Sequence, residues 1–236
     1  TTKKELSAIA AGFNPEAVID TDLTLPDSIR SKKPGQEIRI DDGLTMIGVP
    51  VYAGRVAPEA VGRIRQFRGD GTPAVLVVLY GNREFEDALR ELKDLAVEAG
   101  FRPIAGGAFI GEHSYANSEF PIARRRPDQK DIEKCSEFGA LIKEKVQQVD
   151  TIESIPIPEF PGNYPYRKPH LLIDISPVTL EDLCTQCGTC VTVCPTAAIV
   201  LKDKVLTETC TCISRCACDK NCPTEARVMK NPKIQA

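Results

Sequence analysis

The chain has 236 residues, 42% of them hydrophobic and 27% charged, with a net charge of −3. That length can bury a real core and has room for one α/β domain with a small appendage. The slight negative charge gives no footprint for nucleic acid, and no stretch approaches the roughly 18 uninterrupted apolar residues of a membrane helix, so neither a nucleic-acid partner nor a membrane segment is expected.

In chain order, Thr1 to Ala11 reads as a helix with Leu6, Ile9 and Ala10 on one face, and Ala17 to Asp22 as a short strand. Leu44 to Val51 is an apolar strand with Pro50 near its end. Pro58 opens a helix running to Phe67, in the first-turn position that suits proline. Ala74 to Tyr80 (AVLVVLY) is almost wholly apolar, Glu84 to Ala99 is an amphipathic helix stopped at Gly100, Arg102 to Ile110 is a further strand, and Asp128 to Val149 a last helix. Strands without polar alternation are buried on both faces, which predicts a parallel sheet covered by helices. In such sheets ligands sit beyond the carboxyl ends of the strands, where PVYAGRVAP and YGNREFED follow two of them. Those loops could grip a planar ring; alternatively Gly54 and Gly81 only permit tight turns, and Tyr52 and Tyr80 finish the core. Cys135, on the last helix, reads as a small core residue. His113 is a loop residue or approaches a ligand, and Arg124 to Arg126 form a solvated surface or a docking patch.

Composition shifts near residue 150. Six of the eighteen prolines fall in 151–180, at Pro156, Pro158, Pro161, Pro165, Pro169 and Pro177, a density that forbids helix and favours extended chain. Phe160, Tyr164 and Tyr166 predict a strap lying along a domain, because a free linker would be rich in Gly or Ser. The expected division is therefore 1–150 for the α/β domain, 151–177 for the strap and 178–236 for a cysteine-rich tail.

Nine of the ten cysteines lie from Cys184 to Cys222. The first four, Cys184, Cys187, Cys190 and Cys194 before Pro195, make the CxxCxxCxxxCP run of bacterial iron–sulfur ligands, in which the fourth thiolate serves the other cluster. The second half, ETCTCISRCACDKNCPTEA, is irregular. Counting back from the second Cys-Pro, Cys222 and Cys218 take the fourth and third ligand places and Cys212 the first, while Arg215 stands in the second with Cys216 one step later. Cys216 could be presented by a local rearrangement, Cys210 could substitute, or the site could hold a three-iron cluster or a non-cysteine ligand. A zinc ribbon would use two separated CxxC pairs, and a disulfide framework would suit a short secreted chain; nine cysteines with two Cys-Pro closures suit two cubanes better.

The opening TTKKEL on a helix, then GVPVYAGRVAP, YGNREFEDALRELKDLAVEAGF, PGNYPYRKP and the cysteine tail, in this order, resemble the flavodoxin-fused ferredoxins. The resemblance implies a flavodoxin-like parallel sheet with a small α+β bacterial ferredoxin-like domain behind it, two 4Fe-4S clusters, and FMN as the flavin. By position it implies Thr1 and Thr2 at the end of the phosphate-binding loop, Tyr52, Ala53 and Gly54 on one side of the flavin ring, and Tyr80, Gly81 and Asn82 on the other. It also implies that the first strand precedes Thr1 and is missing here, so the sequence reads as a piece of a longer chain, about ten to twenty residues short.

The expected function is electron transfer, with single electrons passing through Cys184, Cys187, Cys190, Cys194, Cys212, Cys216, Cys218 and Cys222 as cluster ligands, to or from the flavin or a redox-protein or flavoenzyme partner. A flavin-dependent reductase fed by the clusters is the first alternative, with His113 and Tyr115 as the few proton-donor candidates. A redox-sensing module with an empty flavodoxin-like domain is the second. Free thiols in this number point to a reducing cytoplasm, and exposed clusters to an anaerobe.

Overall fold

A computed structural model describes residues 1–26, 37–168 and 175–230. They form two compact units. The first holds residues 1–21, 37–113 and 121–168; the second holds the tail from 175 together with two segments of the front half, 22–26 and 114–120. The expected boundaries at 150 and 177 run differently. Residues 151–168 fold with the first unit, and 169–174 of the strap lie outside the described residues.

The first unit is α/β. Helix α1 (Thr2–Phe13) ends at Asn14, whose left-handed φ of 51° lets its N–H reach Ala10 O at 2.9 Å before Pro15 forbids another turn. The strand expected at 17–22 does not form: Val18 and Ile19 are 65% and 96% exposed. An isolated strand leaves its backbone groups without partners, and none of the observed ladders includes these residues. Instead β1 (Ile38–Ile40), not foreseen, pairs in parallel with β4 (Phe67–Gly69). The main sheet is built by β2 (Thr45–Tyr52), β5 (Pro73–Tyr80) and β6 (Arg102–Ile110), all parallel with β5 in the centre, and the short β3 (Arg55–Val56) turns back on β2. The unbroken apolar run predicted burial on both faces, and Ala74 to Val78 are indeed fully buried.

Helices α2 (Pro58–Ile64) and α3 (Ala88–Glu98) follow β3 and β5. Helix α4 (Gln129–Gln147) packs with α1 over the sheet in a core of Ile9, Val75, Val77, Ile104, Cys135 and Ile142. Cys135 is thus a core side chain. Arg126 is not solvated as its arginine run implied: it is half-buried and ion-paired to Asp131, whose carboxylate also accepts the Asp128 N–H at 2.8 Å in the capping box that starts α4.

Helix α3 begins four residues later than its amphipathic pattern. Glu86 has φ 42°, and Asp87, at the N-cap, turns its carboxylate away from the helix to accept N–H groups of Asn163 and Arg167, each at 2.7 Å. Those bonds hold Asp87 well below the usual carboxylate range and tie the strap to the sheet's carboxyl edge. Arg55 completes the anchor, donating to Glu91 at 2.8 and 2.7 Å and to Arg167 O at 2.7 Å, with its guanidinium 4.6 Å from the Tyr166 ring centre.

The second unit is a small α+β body. Two antiparallel ladders, β7 (Val178–Thr179) with β10 (Arg227–Val228) and β8 (Ile199–Leu201) with β9 (Val205–Thr207), flank two single-turn helices, α5 (Thr189–Thr192) and α6 (Ala217–Lys220). Among the described residues no helix is long and apolar enough to cross a membrane.

Candidate metal centre

The tail folds twice in the same way. Left-handed φ angles recur at Gln186 (54°), Gly188 (78°) and Ala197 (54°) in the first loop, and at Ser214 (53°), Cys216 (59°) and Glu225 (54°) in the second. α5 starts after Gly188 and α6 after Cys216. Superposed by these angles, Cys184, Cys190 and Cys194 correspond to Cys212, Cys218 and Cys222. Cys187 then corresponds to Arg215, and Gly188 to Cys216. The second loop keeps the backbone of the first, and Cys216 tolerates a conformation that is easy for glycine and costs about 1–2 kcal/mol for another residue.

The fold exchanges the fourth cysteines. One cavity is walled by Cys184, Cys187 and Cys190 of the first loop and Cys222 of the second. The other is walled by Cys212, Cys216 and Cys218 of the second loop and Cys194 of the first, with Arg215 beside them. All eight cysteines named from the sequence are brought into two sets of four. Cys210 lines neither cavity; it is exposed, with its thiol 3.5 Å from Glu208 Oε1. Among the described residues no group of three or more His, Cys, Asp or Glu is drawn tightly enough to hold one metal ion.

The surroundings of these cysteines fall into two kinds. Ala198 N–H donates to Cys194 Sγ at 3.3 Å. Burial alone would raise the Cys222 thiol, but the backbone N–H groups of Arg227 and Thr224 outweigh it and hold it low. Cys187, exposed, is lowered by hydrogen bonds from the Thr189 side chain and backbone, its Sγ lying 3.3 Å from Thr189 Oγ1. Burial raises Cys190, Cys212, Cys216 and Cys218, and in three of these, Cys216 excepted, the Arg227 charge opposes it. Such sulfurs are costly as bare thiolates and fit a bound cation-rich group that neutralises them.

Tyr115, from segment 114–120, folds with this unit. Burial pushes its hydroxyl up to about 12, helped by the charge of Cys216 and opposed by a hydrogen bond with Ser214, and Lys220 donates to Ala116 O beside it. Sequence reasoning saw Tyr115 only as a proton donor for a flavin substrate, and missed Arg227 altogether. Arg227 was findable: the halves repeat as CPTAAIV and CPTEARV, with arginine where its mate has isoleucine.

In the first unit, residues named for a flavin converge on the carboxyl edge of the sheet. Tyr52 and Tyr80 end the adjacent strands β2 and β5. Ala53 and Gly54, at φ 51° and 75°, form the tight turn into β3 that needs two left-handed residues. Gly81 lies under the His113 ring, which a side chain there would strike. Gly111 N–H donates to Tyr80 O at 2.9 Å, and Gly111 lies against Thr1, the N-cap residue before Thr2. Asn82 takes φ 56° in the loop that follows. Gly54 sits under the Glu86 carboxylate, and its carbonyl accepts the Asp87 N–H at 3.0 Å, so the two loops touch.

Residues 177–200 match the family model of the 4Fe-4S binding domain. No curated protein matches the chain. Among solved structures it is similar to one described as "Structure of a flavodoxin from the domain Archaea", at 16% identity and a TM-score of 0.35, over 62% of this chain and 90% of that one. A likeness at that score carries no weight for the fold, which stands on the order of β2, β5 and β6. The chain is an α/β protein with a 4Fe-4S binding domain in its C-terminal part.

Proposed function

We propose that the chain is an electron-transfer protein of the flavodoxin-fused ferredoxin kind, with Cys184, Cys187, Cys190 and Cys222 holding one 4Fe-4S cluster and Cys194, Cys212, Cys216 and Cys218 a second. The observation that carries this is the pairing of two four-cysteine cavities, each completed by a cysteine from the other loop. Bound cubanes supply one-electron chemistry over a wide range of potentials, and a flavin exchanges electrons singly or in pairs. The protein's part is to hold thiolates with backbone N–H groups, to exclude water from Cys190, Cys216 and Cys218, and to fix the sites in one small rigid body, so that little reorganises when an electron moves. FMN is the proposed partner group, at Thr1, Thr2, Tyr52 to Gly54 and Tyr80 to Asn82.

The Glu86 carboxylate over Gly54 favours a second reading, in which the flavin edge is closed and the clusters alone respond to redox state. Anaerobic purification with iron, acid-labile sulfide and flavin counted per chain tests both. About eight irons with one flavin support the carrier, eight without flavin leave the sensor, and four or fewer contradict the second cluster.

A further inference from the structure

Arg227 is 3% exposed. A cation so placed needs an anion, because removing a guanidinium from water is costly unless its charge and its donors are matched. Its partners are neutral: Nη1 donates to Thr179 Oγ1 at 2.7 Å, Nη2 to Thr207 Oγ1 at 2.9 Å and to Cys218 Sγ at 3.8 Å, and Nε is buried with no partner at all. No carboxylate pairs with it among the described residues; Asp219, which feels its charge at a distance, accepts the Met229 N–H.

The internal repeat shows what this position otherwise holds. Ala198 O accepts the Glu208 N–H at 2.8 Å and Ala226 O the Leu180 N–H at 2.7 Å, Ile199 pairs with Thr207 and Arg227 with Thr179, and both Ile199 and Arg227 are 3% exposed. Ile199 walls the cavity of Cys194, Cys212, Cys216 and Cys218, and Arg227 walls that of Cys184, Cys187, Cys190 and Cys222. A buried charge therefore occupies a place where an apolar side chain completes the same backbone. It touches both sites at once, as a wall of the first cavity and through Cys218 of the second.

We propose that Arg227 is a positioning residue shared by the two cysteine sites, a counter-charge that makes each site easier to reduce. This rests on the two-cluster reading. Reduction brings one electron per site from an external donor such as dithionite; no bond forms or breaks, and no proton moves, because guanidinium stays charged. The added negative charge meets a fixed positive one where water does not screen it.

The test is an anaerobic redox titration of the full chain, followed by electron paramagnetic resonance, on Arg227→Ile, which copies the mate position, and on Arg227→Lys. In Arg227→Ile with iron content unchanged, both midpoint potentials fall by about tenfold in the reduction equilibrium, about 59 mV for one electron, and Arg227→Lys recovers most of the loss. Unshifted potentials, or a fall at one site alone, overturn the shared role. A wild-type chain with a single cluster instead overturns the two-cluster reading. If Arg227→Ile fails to load iron, Arg227→Gln decides, since it keeps polar donors and removes the charge: lower midpoint potentials at both sites support the proposal, and unshifted potentials contradict it.

Discussion

The two cysteine loops share a backbone and differ at adjacent positions, Cys187-Gly188 in one and Arg215-Cys216 in the other. In the first, an exposed thiol lowered by Thr189 stands beside a glycine made for its left-handed turn. In the second, the thiol has moved into the glycine's place, where it is 2% exposed and its own carbonyl neighbour, Ser214 O, accepts its S–H at 3.6 Å. The comparison teaches that the shared backbone is set by the turn geometry and the Cys-Pro closures, and keeps its shape when the cysteine moves by one residue.

Exchange of the fourth cysteines makes the sharpest expectation. Cys222→Ala empties the site of the first loop, and Cys194→Ala that of the second, so each variant keeps about half the iron and sulfide, and the surviving signal identifies the loop. If each variant instead lost the site of its own loop, the exchange would be wrong. One step smaller is the contest over the displaced ligand. Cys216→Ala lowers iron content at the second site while Cys210→Ala leaves it intact; the reverse result would make Cys210 the ligand. The double change Arg215→Cys with Cys216→Gly regularises the second loop and retains both clusters, with slower loss of iron in air.

Thiol chemistry sharpens the contrast further. A lowered pKa puts more thiolate at a given pH, and a raised one less. In metal-free reduced protein at neutral pH, iodoacetamide therefore labels Cys187 first and Cys216 last, and raising the pH narrows the gap; peptide mass spectrometry reads the order. The smallest effect belongs to the turn itself. Gly188→Ala meets no atom but is strained at φ 78°, and destabilises the holo protein by about 1–2 kcal/mol, visible as a lower midpoint in guanidinium. Arg215→Cys with Cys216→Gly relieves the same strain in the other loop while keeping four cysteines at that site.

Much of this was legible in the chain. Cysteine spacing marked both sets of four and the irregular place at Arg215, because ligand runs recur at short, countable intervals. The apolar run at 74–80 gave the central strand, and Pro58 and Gly100 marked a helix start and a helix stop through local backbone chemistry. What escaped was non-local. Val18 and Ile19 have strand composition but no ladder neighbour. The late start of α3 depends on Asp87 binding a strap some eighty residues away. Segment 114–120 carries no compositional sign that Tyr115 folds with the cysteines. Arg227 drew no attention in the sequence, yet it is buried in the same frame as its repeat mate, Ile199.

The central claim is that this tail holds two one-electron centres. Coulometric titration of the anaerobically purified full chain, with resonance spectra taken at each potential, tests it most directly. Two one-electron steps per chain, both carried by cubane signals, are predicted. A single step, or bound zinc with no reducible centre, would contradict the claim.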